Sequence, residues 1–494
     1  MNSTSTSTRF KHFETHIDKK TFPKLLFLLF IASFLIHLII VTIFIDQPIA
    51  LDDMFQYDML ARSLKDGNGF EWYSKADVEI LRPYYSQFLD IDHLPFPDQG
   101  LQTTFRAPGY PFFLAFVYFF APDSLRFVFA RLVQVGLVAA LAPLAALLGH
   151  QLAFSKRVCI LAGVGISFYP ILLVYPIGLA SENLYVVLGL LSITSILYSI
   201  KKKSWVWIIL AGLICGITMF TRSIFAVFTL FSGIWISCHS PRRKKAGLIF
   251  LLVAFGACLP WSIRNSAIMK KPSFVENSLG YNLFIGYHPE WDGGFVSKIA
   301  IIPMNILDDG ERDRFCMQQA IEFIRKDPFE ASRRVFARLV KLIGPEDREF
   351  FYFYSNNLVG AIPQPWLALI YSLLVIPWGS ILILGVTGLW QARNNKMVVS
   401  LVILFLICYG LPHLFIIAEP RFHLAFVPVL IPFAIFALDS KNRIQWKQFF
   451  RRETILFTIF LLLLICIFIL GFTSNFSRLT SIMSEGGNKL YLSY

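Results

Sequence analysis

The chain has 494 residues, 56% hydrophobic and 16% aromatic, with 16% charged and a mean hydropathy of +0.60. That balance excludes an ordinary soluble domain. The net charge of +13 does not point to nucleic acid, because the basic residues sit in short clusters between apolar runs rather than along one soluble face.

The chain opens on a Ser/Thr leader and a basic stretch, Arg9, Lys11, Lys19, Lys20 and Lys24, before an apolar run at 25–45. A cleaved signal peptide is the rival reading. The run is longer than a signal peptide's ~7–15 residue core and no A-x-A-like site follows, so an uncleaved anchor is expected, with 1–24 as a cytoplasmic leader. Further apolar runs lie at 125–148, 158–175, 184–199, 205–220, 224–236, 246–261, 366–390, 398–417, 422–438 and 455–472. Together they make about eleven helices to cross a hydrocarbon core of about 30 Å.

Charge asymmetry then sets the topology. With the basic amino terminus inside, the clusters Lys156–Arg157, Lys201–Lys203, Arg242–Lys245, Arg393 with Lys396, and Lys441, Arg443, Lys447, Arg451 and Arg452 all fall in inside loops. One added or missing span would flip every later cluster. The stretch "PGYPFFLAFVYFF", residues 108–120, is too short to span and is read as an interfacial helix. The chain divides into a transmembrane module at 25–262 containing a first outer loop at 46–124, a second outer loop at 263–365, a carboxy-terminal transmembrane module at 366–472 and an outer tail at 473–494. In the second loop, Met317, Ala320, Ile321 and Ile324 share one helical face, as do Val335, Phe336, Leu339 and Val340.

The first outer loop begins with "LDDMFQYDMLAR". Met54, Tyr57, Leu60, Ala61 and Leu64 follow helical spacing, and "KDGNGF" ends the helix. Asp53 has Gln56 three residues on, which also reads as a capping box. Charged residues at the outer span ends are few: Glu182, Arg222, Arg264, Glu419 and Arg421. Each alone could cap a helix or reach to headgroups. Gathered at one face they read as a joint site, in which arginines suit a phosphate and a carboxylate suits a hydroxyl proton.

The seven cysteines form no CxxC or disulfide-like spacing and read as small core hydrophobes. No Walker loop, HExxH or GxSxG occurs, and His93, His288, His413 and His423 are scattered. No cofactor is assigned, and a divalent metal is left open with no residues to hold it.

Several motifs in order resemble a family. Asp53 followed by Tyr57 and Ala61, then "LKDGNGF", "FRAPGYPFFLA", "SENL", "TRS", "PWSIRN", "GYNLFIGYHPEWDGG" and "PRFHLAFVPVLIP" are similar to signatures of the bacterial polyprenyl-phosphate-dependent glycosyltransferases of the GT-C class. These are related to aminoarabinose transferases and protein O-mannosyltransferases. The likeness runs from the first span to about residue 438. It departs at Met54, where a second acid often follows the Asp, and at Ser223, where a Pro often follows the Arg.

The resemblance implies an all-α polytopic GT-C fold with amphipathic interfacial helices in two large outer loops. It implies transfer of a sugar, with inversion, from a polyprenyl-phosphate carrier to lipid A, a glycan or a protein at the outer face of the inner membrane. Asp53 would be the acid-base residue with Asp52 as its neighbour. Tyr57, Arg106, Glu182, Arg222, Arg264, Tyr281, Asn282, Glu419 and Arg421 would bind substrate or shape the cavity. A lipid-linked sugar transporter or flippase is the rival from another class. It predicts charged residues through the span interiors, whereas here they concentrate at one face.

Overall fold

The computed structural model describes residues 21–86, 93–291, 294–355, 360, 362–439 and 452–483. Arg9, Lys11, Lys19 and Lys20 of the leader, Lys441, Arg443, Lys447 and Arg451 of the last basic cluster, and residues 484–494 of the expected tail lie outside that set.

In chain order the helices are α1 (Thr21–Ile43), α2 (Asp53–Lys65), α3 (Lys75–Tyr85), α4 (Gly109–Phe119), α5 (Arg126–Ala139), α6 (Leu141–Gln151), α7 (Lys156–Ser167), α8 (Pro170–Val174), α9 (Glu182–Lys202), α10 (Trp205–Thr221) and α11 (Phe225–His239). They continue with α12 (Arg243–Met269), α13 (Leu279–Tyr287), α14 (Ser297–Ile301), α15 (Asp309–Lys326), α16 (Pro328–Ile343), α17 (Arg348–Ser355), α18 (Gln364–Gln391), α19 (Lys396–Phe415), α20 (Val427–Leu438), α21 (Arg452–Ser474) and α22 (Phe476–Met483). Two short strands, β1 (Glu71–Trp72) and β2 (Leu101–Gln102), pair antiparallel within the first outer loop.

The protein is an all-α polytopic membrane protein. Among the described residues seven helical stretches are long and apolar enough to cross a membrane, and α7 with Pro170–Ile177 makes an eighth, bent by 50°. The shorter apolar helices α10, α11 and α20 fill the remaining places, so every apolar run read from the sequence lies on a helix. α9 is the most enclosed span and packs on α6 and α10. The shorter α4 lies against α2 and α5, burying Tyr110, Leu114 and Tyr118 while Phe112, Phe116 and Phe119 stay exposed, as an interfacial helix requires.

The two ends of the bundle differ in charge. At one end Lys201 Nζ donates to the Gln151 carbonyl at 2.6 Å, Asn395 Nδ2 to that of Leu152 at 3.4 Å, and Arg393 faces Glu453 at 3.9 Å. These contacts gather the basic turns after α6, α9 and α18 together with the start of α21. At the other end lie the two outer loops.

The outer amphipathic pair buries only part of the faces expected from apolar spacing. On α15 the buried positions include Arg312, Cys316 and the expected Ala320, with Ile321 exposed; on α16 they are Arg334, Arg338, Leu342 and the expected Val340, with Phe336 exposed. The arginines explain the rotation. Arg338 donates to the carbonyls of Gly286 and, at 3.1 Å, Leu414. Arg334 Nη1 donates to that of His288 at 2.6 Å. Both guanidiniums stack on Trp291. Satisfying carbonyls at helix ends outranks burying one more aliphatic side chain.

Candidate active site

The site grows from the start of α2. Asp52, not Asp53, is the N-cap: its Oδ1 accepts the Met54 amide at 2.9 Å. Its Oδ2 accepts the Tyr352 hydroxyl, from α17, at 3.1 Å. The cap therefore falls on Asp52 and the capping box expected between Asp53 and Gln56 does not form, which leaves Asp53 to other partners. Gln56 turns away from the cap, donating to the Tyr73 hydroxyl and accepting from Arg106 Nε at 2.9 Å.

Asp53 is held by cations. Its Oδ1 pairs with Arg106 and its Oδ2 accepts Arg421 Nη1 at 3.2 Å. Burial pushes the Asp53 carboxyl up, but Arg106, Arg421 and Arg348 outweigh it and hold the group well below the usual carboxylate range. Asp52 moves the other way: burial and the Asp53 charge raise it against the Met54 amide, Arg348 and the Tyr352 hydroxyl. The three arginines come from separate elements: Arg106 precedes α4, Arg348 opens α17, and Arg421 lies in the one-turn helix Pro420–Ala425 between α19 and α20.

A second carboxylate completes the cluster. Glu182, buried at the start of α9, pairs with Arg222 at 2.6 Å and approaches Arg421 at 3.8 Å. Arg222 and the Tyr57 hydroxyl both donate to Ser181 Oγ. Glu419 accepts Arg348 Nε at 3.0 Å and the Phe295 amide at 2.7 Å, tying the carboxy-terminal module to the second outer loop.

These groups line a cavity of about 760 Å³, into which Asp52, Asp53, Arg106, Arg348, Glu419 and Arg421 face. Tyr281 and Asn282 of α13 form part of its wall, with the Tyr281 hydroxyl donating to the Ala300 carbonyl at 2.9 Å. A smaller pocket alongside is lined by Tyr57 and Glu182, with Asp52, Asp53, Arg348 and Arg421 shared between the two.

Of the residues singled out from sequence, Arg264 stands apart. It lines neither pocket, donates to the carbonyls of Thr103 at 2.9 Å and Phe70 at 3.4 Å, and stacks on Trp261 at 4.6 Å. It fastens the first outer loop to α12. Arg222 also stands back from both pockets, behind Glu182.

The sequence reading passed over Arg348 and Tyr352. Their signal was the charged run "EDRE" between an amphipathic helix and an aromatic one, in a chain whose charges are otherwise sparse. The aromatic "FFYFY" that follows read as packing. Among the described residues no group of three or more His, Cys, Asp or Glu is arranged to hold a metal ion.

No family profile and no curated protein matches the chain. Two of the solved structures that resemble it are archaeal oligosaccharyltransferases. The crystal structure of the Archaeoglobus fulgidus oligosaccharyltransferase in the apo form is 14% identical, with a TM-score of 0.46, over 96% of this chain and 59% of that one. The archaeal oligosaccharyltransferase AglB from the same organism, in complex with an inhibitory peptide and a dolichol-phosphate, is 12% identical, with a TM-score of 0.44, over 94% of this chain and 58% of that one. The chain spans less than two thirds of the length of either.

Proposed function

We propose that the protein is a membrane glycosyltransferase of GT-C type, transferring a sugar from a polyprenyl-phosphate carrier to an envelope acceptor in the Asp53 cavity. The observation that carries this reading is the clamping of Asp53 by Arg106 and Arg421, with Arg348 bound to Glu419 beside them, on the wall of a cavity of about 760 Å³. A guanidinium cluster at the membrane boundary matches a lipid phosphate, which it can bind bidentately and stabilise as it departs. The acidic centre of Asp52 and Asp53 serves the attacking group. Tyr57, Glu182 and Arg222 form the floor that keeps Arg421 in place, and Tyr281 and Asn282 shape the wall. The cavity faces the outside of the inner membrane, opposite the basic turns.

Purified protein in nanodiscs should bind undecaprenyl phosphate. Arg348→Ala and Arg421→Ala should each weaken that binding tenfold or more, consistent with about 1.4 kcal/mol per decade. An undecaprenyl-phosphate-linked radiolabelled sugar should pass its label to envelope lipid, glycan or protein. Absence of lipid-phosphate binding would overturn the reading. So would translocation of the labelled carrier across vesicles without transfer, the behaviour of a flippase.

A further inference from the structure

The family resemblance at Asp53, Tyr57 and Ala61 implies the proton-accepting role for Asp53, but the contacts around the Asp pair do not support that division. Both oxygens of Asp53 are engaged by guanidiniums, Arg106 on one and Arg421 on the other. A carboxylate so clamped is a permanent anion that anchors cations. Among the described residues, Asp52 accepts hydrogen bonds from neutral donors only. The Met54 amide fixes Oδ1 at 2.9 Å through the helix cap, and the Tyr352 hydroxyl meets Oδ2 at 3.1 Å. Both carboxylates line the same two pockets.

We infer that Asp52 is the proton-accepting catalytic residue for a hydroxyl-bearing acceptor, while Asp53 is the fixed charge that positions Arg106 and Arg421 for the carrier phosphate. The assignment rests on the proposed glycosyl transfer. In that step the acceptor oxygen bonds to the anomeric carbon. The bond from that carbon to the phosphate oxygen breaks with its electron pair on the carrier phosphate, and the hydroxyl proton passes to Asp52 Oδ2.

The Tyr352 hydroxyl, now bonded to that oxygen, is the group the acceptor hydroxyl replaces. The cap bond to Oδ1 keeps the carboxylate aimed while this exchange takes place. The opposite directions in which the two acids are pushed agree with a division of labour between neighbouring carboxylates.

The charged and titratable groups facing Asp52 are Asp53 from its own helix, Arg348 and Tyr352 from α17, and, around the same pocket, Arg421, Glu182, Glu349, Tyr57 and Tyr175. Their signs give directional expectations. Asp53 raises Asp52 and Tyr352 lowers it. Neutralising Asp53 should therefore move the Asp52 titration to lower pH, and removing the Tyr352 hydroxyl should move it to higher pH.

Infrared difference spectra of the full chain in nanodiscs, taken parent minus variant across a pH titration, read the protonated carboxyl band directly. Asn caps a helix as well as Asp, so Asp52→Asn keeps the fold while removing the proton site. Asp52→Asn should delete a titrating band. Asp53→Asn should keep that band and shift it to lower pH, and Tyr352→Phe should shift it to higher pH.

With an undecaprenyl-phosphate-linked sugar donor and a hydroxyl acceptor, Asp52→Asn should lower kcat by about 100-fold or more with donor KM unchanged. Asp53→Asn should instead raise donor KM by about tenfold or more, with a smaller change in kcat. If the band belongs to Asp52 but no donor supports transfer, the glycosyltransferase reading fails and the catalytic role of Asp52 falls with it, whereas transfer with the band on Asp53 overturns the assignment alone. If Asp53→Asn deletes the band, or abolishes kcat at saturating donor while Asp52→Asn still turns over, the assignment is overturned.

Discussion

Asp347 immediately precedes the arginine that joins the Asp53 cluster, and its carboxyl lines the same cavity beside Lys341, Asn475 and Arg478. Its Oδ2 accepts Asn475 Nδ2 at 2.8 Å. Burial pushes it up from 3.8 to about 6, against the pull of Asn475, Lys341 and Arg478. An acid whose folded pKa is raised holds its proton more tightly in the native state. Its contribution to stability is thus complete below the unfolded value and is lost as pH rises through about 6. At about 1.4 kcal/mol per unit, the buried charge costs on the order of 1–3 kcal/mol at neutral pH. Asp347→Asn should raise the thermal midpoint above pH 6 and flatten the fall in stability between about pH 4 and 6. Midpoints that stay level with the parent at pH 7.5 would show the carboxylate to be solvated there. The same residues mark how much of the site can be read from one sequence. Asp53, Arg106 and Arg421 announce themselves because charge is rare in this chain and their motifs resemble a family. Arg348 and Tyr352 reach the centre only through the packing of α17, which local pattern does not encode. The cap on Asp52 depends on one backbone turn, and spacing to Gln56 pointed instead to Asp53.

At the scale of elements, close helix packing depends on small residues, since apolar side chains gain nothing by leaving lipid for one another. α18 and α20 make the most extensive helix contact in the protein, and glycines line it. A Cβ on Gly385 would stand 3.0 Å from Leu430 Cβ, and one on Gly388 would overlap the Phe433 carbonyl. Arg421 lies in the turn that leads into α20, so this contact also fixes the position of one guanidinium of the cluster. Gly388→Ala should separate the helices and cost about 1–3 kcal/mol, read as a lower thermal midpoint in detergent and weaker binding of undecaprenyl phosphate. Gly256→Ala on α12, where a Cβ meets nothing within 4 Å, should be neutral or stabilising by up to about 1 kcal/mol. Equal effects at the two positions would remove the argument. Spans were legible because the bilayer imposes length and polarity on each one. The turned faces of α15 and α16 were not, because their orientation is set by arginines seeking carbonyls on distant helices.

For the whole molecule, the proposed orientation rests on the distribution of charge along the bundle. The turns after α6, α9 and α18 gather at one end, and the lysines and arginines clustered in the sequence beside them follow the pattern that in membranes marks the cytoplasmic side. The cavity is built at the opposite end from loops between α1 and α2, around β2, and between α19 and α20, with its arginines partnered by acids. On the proposed function, a carrier whose sugar lies in the outer leaflet would reach this cavity with its phosphate beside the guanidiniums. Cysteine labelling tests this orientation. In a Cys238→Ser, Cys466→Ser background, which removes the two exposed native thiols, Gln99→Cys and Glu311→Cys should react with a membrane-impermeant maleimide in intact cells. Asn394→Cys, exposed in the turn after α18, should react only after permeabilisation. The reverse pattern would put the cavity on the cytoplasmic side, where an outer-leaflet carrier could not deliver its sugar, and the choice of donor would fall with it.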